Sequence, residues 1–579
     1  YTYELMFSIY YNKNNNSNLF EHLEKNDFQK VQNFVPLYLN YFNLDEKNYN
    51  SINLNQKYHI QSIVKQNSNN SFKITCLDVS NNKIRVESFF KFSPLLDPVK
   101  FMVGKYKNIT KEKLTSLPHL TNTNVHAKVL DKNNSAYVDS FFSYLTSQLF
   151  HKASFTHGLD FYGSFLGIKN QLKLNVYDDL EYLFDSDFFH KQKNKLFDMD
   201  DVDEERLLEG DTRNYRKKII VQSEDINLDI QTIDNSFMEE VFELTHENLE
   251  KHNNELREEY SVVSENNIEN KSEKRTNSTC SSRTSNTSNS EEELSGESSG
   301  LESCENSQLS EYSSLTEENV YALIKNFPVQ IICLEKMDNT LDSLLDDSDD
   351  EESDDEKDVL SNKEWASCLF QIIMILITYQ KIFDFTHNDL HTNNIMFQKT
   401  DRKFMNYKFN DTYYRVPTYG RIYKIIDFGR AIYSFNGKTI CSDSYHPKGD
   451  AATQYNFEPY FNEKKPRLKP NKSFDLCRLA CSLYDFFVDD VENENKIKNP
   501  VAKLIIKWTK DDKGRNILYK NNGEERYPDF KLYKMIVRTV HNHIPENELS
   551  NPLFSSYKSS KKKIKKGKII NIDKMEPMI

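Results

Sequence analysis

Apolar and polar positions alternate with a strand-like period over KYHIQSIV (57–64), SFKITCLDV (71–79) and KIRVESFFKF (83–92). The links KQNSNN and SNN are rich in turn-forming Asn and Ser, so the three segments predict an antiparallel meander. AYVDSFFSYLTSQLF (136–150) switches to helical spacing, with Phe141, Leu145 and Leu149 on one face and Phe142 beside them. FYGSFLGI (161–168) and LKLNVY (172–177) predict two more strands, PVQIICLEKM (328–337) a buried strand with a polar end, and NTLDSLL (339–345) a short helix. WASCLFQIIMILITYQKIF (365–383) predicts a strongly apolar helix. NIMF (394–397) and YKIIDF (423–428) follow as short strands around a polar insert, and SFDLCRLACSLYDFF (473–487) as another apolar helix. No repeat of fixed period is apparent. A sheet-rich front half before a helical back half is an α+β arrangement.

Other stretches lack such patterns. Residues 1–50 mix aromatics with Asn and Lys without a period and predict a partly helical extension. Residues 186–325 predict a long insertion; its core, SSRTSNTSNSEEELSGESSGLESCENS (281–307), has too few apolar residues to bury and predicts disorder. A second acidic run spans 346–358, and the C-terminal segment 558–579 opens with the basic KSSKKKIKKGK (558–568). These segments explain the modest apolar fraction of 37% beside 28% charged residues. The acidic runs read as solvated linkers; many of their serines precede Asp or Glu, which also suits phosphoacceptor sites.

The formal net charge of −13 argues against bulk nucleic-acid binding. The basic tail is the one segment suited to nucleic acid or an acidic surface. Eight cysteines include no CxxC, and Cys477 and Cys481 share one face of an apolar helix, as core residues do. Reduced thiols and no signal-like start predict an intracellular, soluble protein. The most apolar run, 368–378, is too short and interrupted to span a bilayer and predicts a buried helix.

The densest chemistry lies in HNDLHTNN (387–394), where Asp389 and Asn394 are five apart, and in IIDFGRA (425–431), where Asp427 follows a buried run. A carboxylate can act as base, while an amide oxygen and a second carboxylate on a neighbouring strand can hold a hard cation such as Mg2+. Phosphoryl transfer uses these parts: one residue to orient the acceptor hydroxyl and two to hold metal on the phosphates.

HNDLHTNN followed by DFG resembles the catalytic and magnesium loops of the protein kinase-like superfamily. The wording is similar to divergent serine/threonine-protein kinases of mimivirus-like giant viruses, in KFSPLLDP (91–98), AYVDSFFSYL (136–145), GDAATQYN (449–456) and SFDLCRLACSL (473–483). The resemblance covers roughly 55–185 and 325–550. It implies a two-lobed fold, with a strand-rich lobe over 51–185 and a lobe over 326–557 that begins at the fifth strand and hinge. It implies Asp389 as catalytic base, Asn394 and Asp427 as ligands of Mg2+ (Mn2+ as a substitute), and His387, Phe428 and Gly429 as support. Asp475 resembles the aspartate that braces the catalytic loop. Lys91 on the third meander strand would pair the ATP phosphates, with Lys128 in VHAKV as a rival; Leu334 would be the gatekeeper, and the backbones of Glu335 and Met337 would hold adenine. For a viral source, the implied location is host cytoplasm or virion.

Several positions depart from the family pattern. KQNSNNS (65–71) stands where a glycine-rich loop would be, and a Cβ limits approach of backbone N–H groups to phosphate. Asn388 replaces an arginine that reads a phosphorylated activation loop, and His391 a lysine of serine/threonine kinases. The helix over 136–150 has no glutamate for Lys91; Asp139 is the nearest carboxylate. EPYF (458–461) only faintly echoes A-P-E, and the interval from Asp389 to Asp427 leaves room for an extended hairpin over 407–424. Three readings follow: an ATP-dependent kinase acting on protein hydroxyls, a non-catalytic scaffold with a kinase fold, and a small-molecule kinase of the aminoglycoside or choline type.

Overall fold

The meander forms where alternation predicts it. In the computed structural model, β1 (Phe28–Gln32), β2 (Tyr58–Gln66), β3 (Ser71–Asp78) and β4 (Lys83–Pro94) belong to one sheet. After helix α1 (Ser135–Lys152) come β5 (Phe161–Asn175), β6 (Phe197–Met199) and β7 (Tyr321–Glu335). The sheet order is β1-β5-β7-β4-β3-β2, with β6 paired to β7. The structure describes residues 7–13, 15–121, 124–200, 320–345, 360–488, 490–564 and 568–579. The Ser-rich core at 281–307, the acidic run 346–358 and part of the basic tail lie outside the described residues.

The sheet differs from expectation in three places. Residues 161–175 form one strand rather than two, although polar Lys169 and Gln171 interrupt the apolar run. Lys169 is accommodated because its ammonium pairs with Asp27 and lies over the rings of Phe28 and Phe92. β7 starts at Tyr321, well before 328, because its polar end continues the ladder with β5, from Lys169↔Phe327 to Asn175↔Tyr321. The stretch 186–325 thus has ordered ends: helix Asp187–Gln192 and β6 on one side, the start of β7 on the other. The N-terminal stretch is built into the sheet through β1, which pairs with β5, and helix Ser17–Asn26 buries Leu19 and Leu23.

Helix α1 is buried on every side from Ala136 to Leu149, not on one face only. Asn134 caps it, and its first turn is held further by the Asp443 carboxylate, which accepts from the Ser135 N–H.

Helix α2 (Asn362–Phe383) starts with a reciprocal capping box between Ser361 and Glu364 and ends at Asp384 in the left-handed region (φ 49°). At 22 residues it is the one helix among the described residues long and apolar enough to cross a membrane, but 94% of its most apolar window is buried inside the protein. The apolar run therefore extends further than 368–378, and burial, not length, marks it as a core helix. Each fully buried Leu, Ile or Phe contributes roughly 1.5–3 kcal/mol to holding it there.

Beyond α2, β8 (Ile395–Lys399) pairs antiparallel with a later strand, Arg421–Ile425, through Ile395↔Ile425. Between them stands a hairpin, β9 (Phe404–Phe409) and β10 (Thr412–Pro417), which starts before the expected 407 and ends before 424, because the last expected residues belong to the return strand β11 (Arg421–Ile425). Residues 339–345 form a two-residue strand against β8 and a 3-10 turn instead of a helix. Helices α3 (Phe474–Phe487) and α4 (Lys531–Thr539) pack beneath the loops that follow β11. The C-terminal segment folds back: Lys558–Ser559 pairs with β10, Ile570–Asn571 with β9, and Met578 bonds backbone to Ile382 and Asn436. Six cysteines are described, all buried and unbonded, Cys477 and Cys481 in the α3 core.

Candidate active site

The stretch from α2 to β8 carries HNDLHTNN, and α3 fixes its backbone. Asp475, in the first turn of α3 and fully buried, accepts the N–H of His387 through Oδ2 and that of Asn388 through Oδ1, each at 2.9 Å. His387 Nε2–H donates to the Ile426 carbonyl at 2.9 Å and Nδ1 accepts the Asp389 N–H at 3.3 Å, so a single neutral tautomer satisfies both. Its ring lies against Phe428, which meets Phe142 of α1 edge-on at 4.7 Å.

Asn388 takes φ 66°, a conformation that Asn adopts more readily than most side chains. It is fully buried; its Nδ2 donates to Thr386 and to the Arg430 carbonyl, and its Oδ1 accepts from Tyr455 Oη at 2.5 Å. Asn388 is thus a buried hub that ties the loop to two later segments.

Lys91, on β4, reaches two carboxylates. Its Nζ is 2.7 Å from Asp139 Oδ2 on α1 and 3.0 Å from Asp427 Oδ1 after β11. The other Asp139 oxygen accepts the Phe428 N–H at 2.9 Å. Burial alone would lower the Lys91 pKa, but the two carboxylates outweigh it and hold the ammonium above its ordinary value. Asp139 takes the place beside Lys91 that the sequence left without a glutamate. Asp427 is itself in the left-handed region, at φ 64°.

Asp389 lies in the same cavity, which Lys91, Asp139, Asp427, Gly429 and Arg430 also line. Burial would raise the Asp389 pKa, but the charges of Arg430 and Arg478 and a hydrogen bond from Tyr533 hold it below the ordinary carboxylate value. Tyr533 Oη donates to Asp389 Oδ1 at 2.7 Å, and Arg430 Nε stands 3.9 Å from Oδ2. Asn394 does not line this cavity; its Nδ2 donates to the Asp389 carbonyl at 2.9 Å and to His391 Nε2 at 3.0 Å. Burial pushes the His391 imidazole down to about 4, which keeps it neutral and able to accept.

The other expected residues lie elsewhere. Leu334 is flanked in the sheet by Phe89 and Phe161, and Glu335 closes on Lys424 Nζ at 2.5 Å and on the Asp160 N–H at 2.8 Å. Neither these two nor Met337 lines the cavity that holds Asp389. Residues 65–71 also stay out of it: Asn70 pairs with the backbone of Phe90, and Asn67 reaches Glu87. Lys128 lines the cavity but is paired with Asp443.

Tyr533, Arg430, Arg478 and Tyr455 were not foreseen. Arg478 has a local signal, since it stands three residues after Asp475 on the same helix. Tyr533 has none: it meets Asp389 across 144 residues of chain.

No protein-family model matches the chain. The chain is similar to "Uncharacterized protein 098R" of Invertebrate iridescent virus 6, with 29% identity over 178 residues, which are 30% of this chain and 26% of that protein. The match thus spans about a quarter of the viral protein's length.

Proposed function

We propose that this chain is an ATP-dependent phosphotransferase of the protein kinase-like superfamily that transfers the γ-phosphate to a protein hydroxyl. The observation that carries the reading is the double ion pair of Lys91 with Asp139 and Asp427 in one cavity with Asp389. Four separate segments contribute these charges, and burying them together is costly without a task for them. The sheet order, with a lysine-bearing central strand and a helix carboxylate against it, supports the same reading, and similarity to an iridovirus protein fits a viral source.

In this reading Asp389 accepts the proton of the acceptor hydroxyl, and its lowered pKa keeps it ionised at neutral pH. Lys91 orients ATP phosphates, with Asp139 holding the ammonium in place. Asn394 and Asp427 suit Mg2+: both offer hard oxygen donors, and the two hydrogen bonds of the Asn394 amide nitrogen fix its orientation, leaving Oδ1 for a cation. Among the described residues no cluster of three or more His, Cys, Asp and Glu forms a metal site, so the donor set rests on this amide and carboxylate. A bound Mg2+ supplies charge neutralisation on the phosphates. Most of the acceleration then comes from positioning and preorganised charge.

The test is incorporation of labelled phosphate from Mg-ATP into the protein itself, into casein and into small alcohols. Asp389→Asn and Asp427→Ala abolish it; unchanged incorporation in either variant sinks the mechanism. A second reading, a nucleotide-binding scaffold without turnover, is favoured by one observation: residues 65–71 and the Leu334–Met337 region lie outside the charged cavity. Binding of ATP equal with and without Mg2+, and no turnover, would select it.

A further inference from the structure

Asp389 holds a hydrogen bond that nothing in the loop motif supplies. Tyr533 Oη donates to its Oδ1 at 2.7 Å, and Arg478 Nε in turn donates to that hydroxyl at 2.9 Å. Arg478 therefore takes up the tyrosine oxygen's acceptor side and leaves its proton for the carboxylate. Arg430 Nε lies 3.9 Å from the other carboxylate oxygen, beyond hydrogen-bond reach. The three contacts come from α4, α3 and the residue after DFG; Tyr533 and Arg430 are buried and Arg478 is half-buried.

Two occupants fit a hydroxyl in this place. It is either a plug on the spot an acceptor hydroxyl needs, or a fixed support that leaves Oδ2 for the acceptor. The packing selects the second. The Tyr533 ring is stacked on Phe530 at 5.3 Å, tilted on Phe474 at 6.0 Å, and faced by the guanidinium groups of Arg430 and Arg478. It belongs to a core cluster with Ile432, Cys441, Phe474, Cys477 and Ile536. Withdrawing it would open that core, so it does not swing in and out at small cost.

We infer that Tyr533 is a positioning residue for phosphotransfer: by donating to Oδ1, it fixes the Asp389 carboxylate so that Oδ2 faces the acceptor hydroxyl. This rests on the phosphotransferase reading above. A hydrogen bond to a charged group of this kind corresponds to about a ten- to hundredfold change.

The experiment uses the full chain with Mg-ATP and casein. Tyr533→Phe keeps the ring in its core and removes only the hydroxyl. The expected result is kcat lower by about ten- to a hundredfold, with KM for ATP within about twofold and an unchanged melting temperature. Should that variant melt early, Arg478→Lys is the second probe, because it loosens the donor to the tyrosine oxygen; it should lower kcat in the same way with KM for ATP held. Unchanged kcat in the folded variant overturns the inference, and a higher kcat overturns it by marking Tyr533 as a plug. Wild-type protein without turnover that depends on Asp389 overturns the phosphotransferase reading and this inference with it. Wild-type turnover with an indifferent Tyr533→Phe overturns this inference alone.

Discussion

Asp139 holds two groups at once: one carboxylate oxygen is 2.7 Å from Lys91 Nζ and the other accepts the Phe428 N–H at 2.9 Å. A side chain one methylene shorter than glutamate therefore ties β4 to the segment that carries Asp427. Removing it leaves a buried ammonium with Asp427 alone. Asp139→Ala should lower the unfolding free energy by about 3 kcal/mol, near the low end for a broken buried pair because one partner remains. Urea denaturation checks this, and stability equal to wild type would show that the pair contributes nothing net.

Asn388→Arg tests how strictly its buried position requires the small amide. The site is fully buried, has φ 66° and uses both ends of the amide. Placing an arginine there should therefore harm this protein, by roughly 2–4 kcal/mol from left-handed strain and overpacking together. Thermal melting beside Asn388→Gly separates the parts: glycine relieves the strain but still loses the Tyr455 and Arg430 contacts.

His157 predicts a pH dependence. It is fully buried, with Nδ1–H on the Tyr423 carbonyl and Nε2 accepting from Tyr407 Oη, both at 2.7 Å. Burial pushes its pKa down to about 4 from an ordinary 6.5. Between those values the unfolded chain binds the proton and the folded one does not, so stability falls as pH drops from about 6.5 to about 4. The full contribution is about 3 kcal/mol. His157→Gln should flatten the loss measured by urea denaturation between pH 7 and pH 4.5; an identical slope would exclude His157 as the cause.

The C-terminal return is the last target. Ile570, Ile572, Met575 and Met578 are all buried. Ending the chain after 569 should lower stability by several kcal/mol, at about 1.5–3 kcal/mol for each fully buried side chain. A truncated protein that melts with the full chain would mean that these contacts are dispensable.

What was legible in the sequence is what local spacing encodes. The meander, α1, α2 and α3 follow from apolar periods, and Asp389, Asn394 and Asp427 stand out because each motif is a few residues long with a buried strand beside it. Edge and tertiary features were not legible. β1 reads FQKVQ, too polar to announce a strand, and forms because β5 offers an edge. Lys169 broke the apolar run of β5, yet its charge is met by Asp27, far away in sequence. Asp139 was visible as a carboxylate, but its register on α1 was fixed only by the cap at Asn134 and by packing. Tyr533 is seen only when α4 folds under the loop that carries Asp389.

The ladder between β5 and β7 also sets how this chain tolerates growth. Asn175 pairs with Tyr321, and the Asp200 N–H donates to the Tyr321 carbonyl at 3.0 Å. Asp200 and Tyr321 thus meet at one hydrogen-bonded doorway, on the sheet end opposite Leu334. Joining two such paired ends with a longer chain costs only about 0.6 kcal/mol of closure entropy for each doubling of length. The doorway is a port where sequence can be lengthened, shortened or exchanged while the register that carries Lys91 stays fixed.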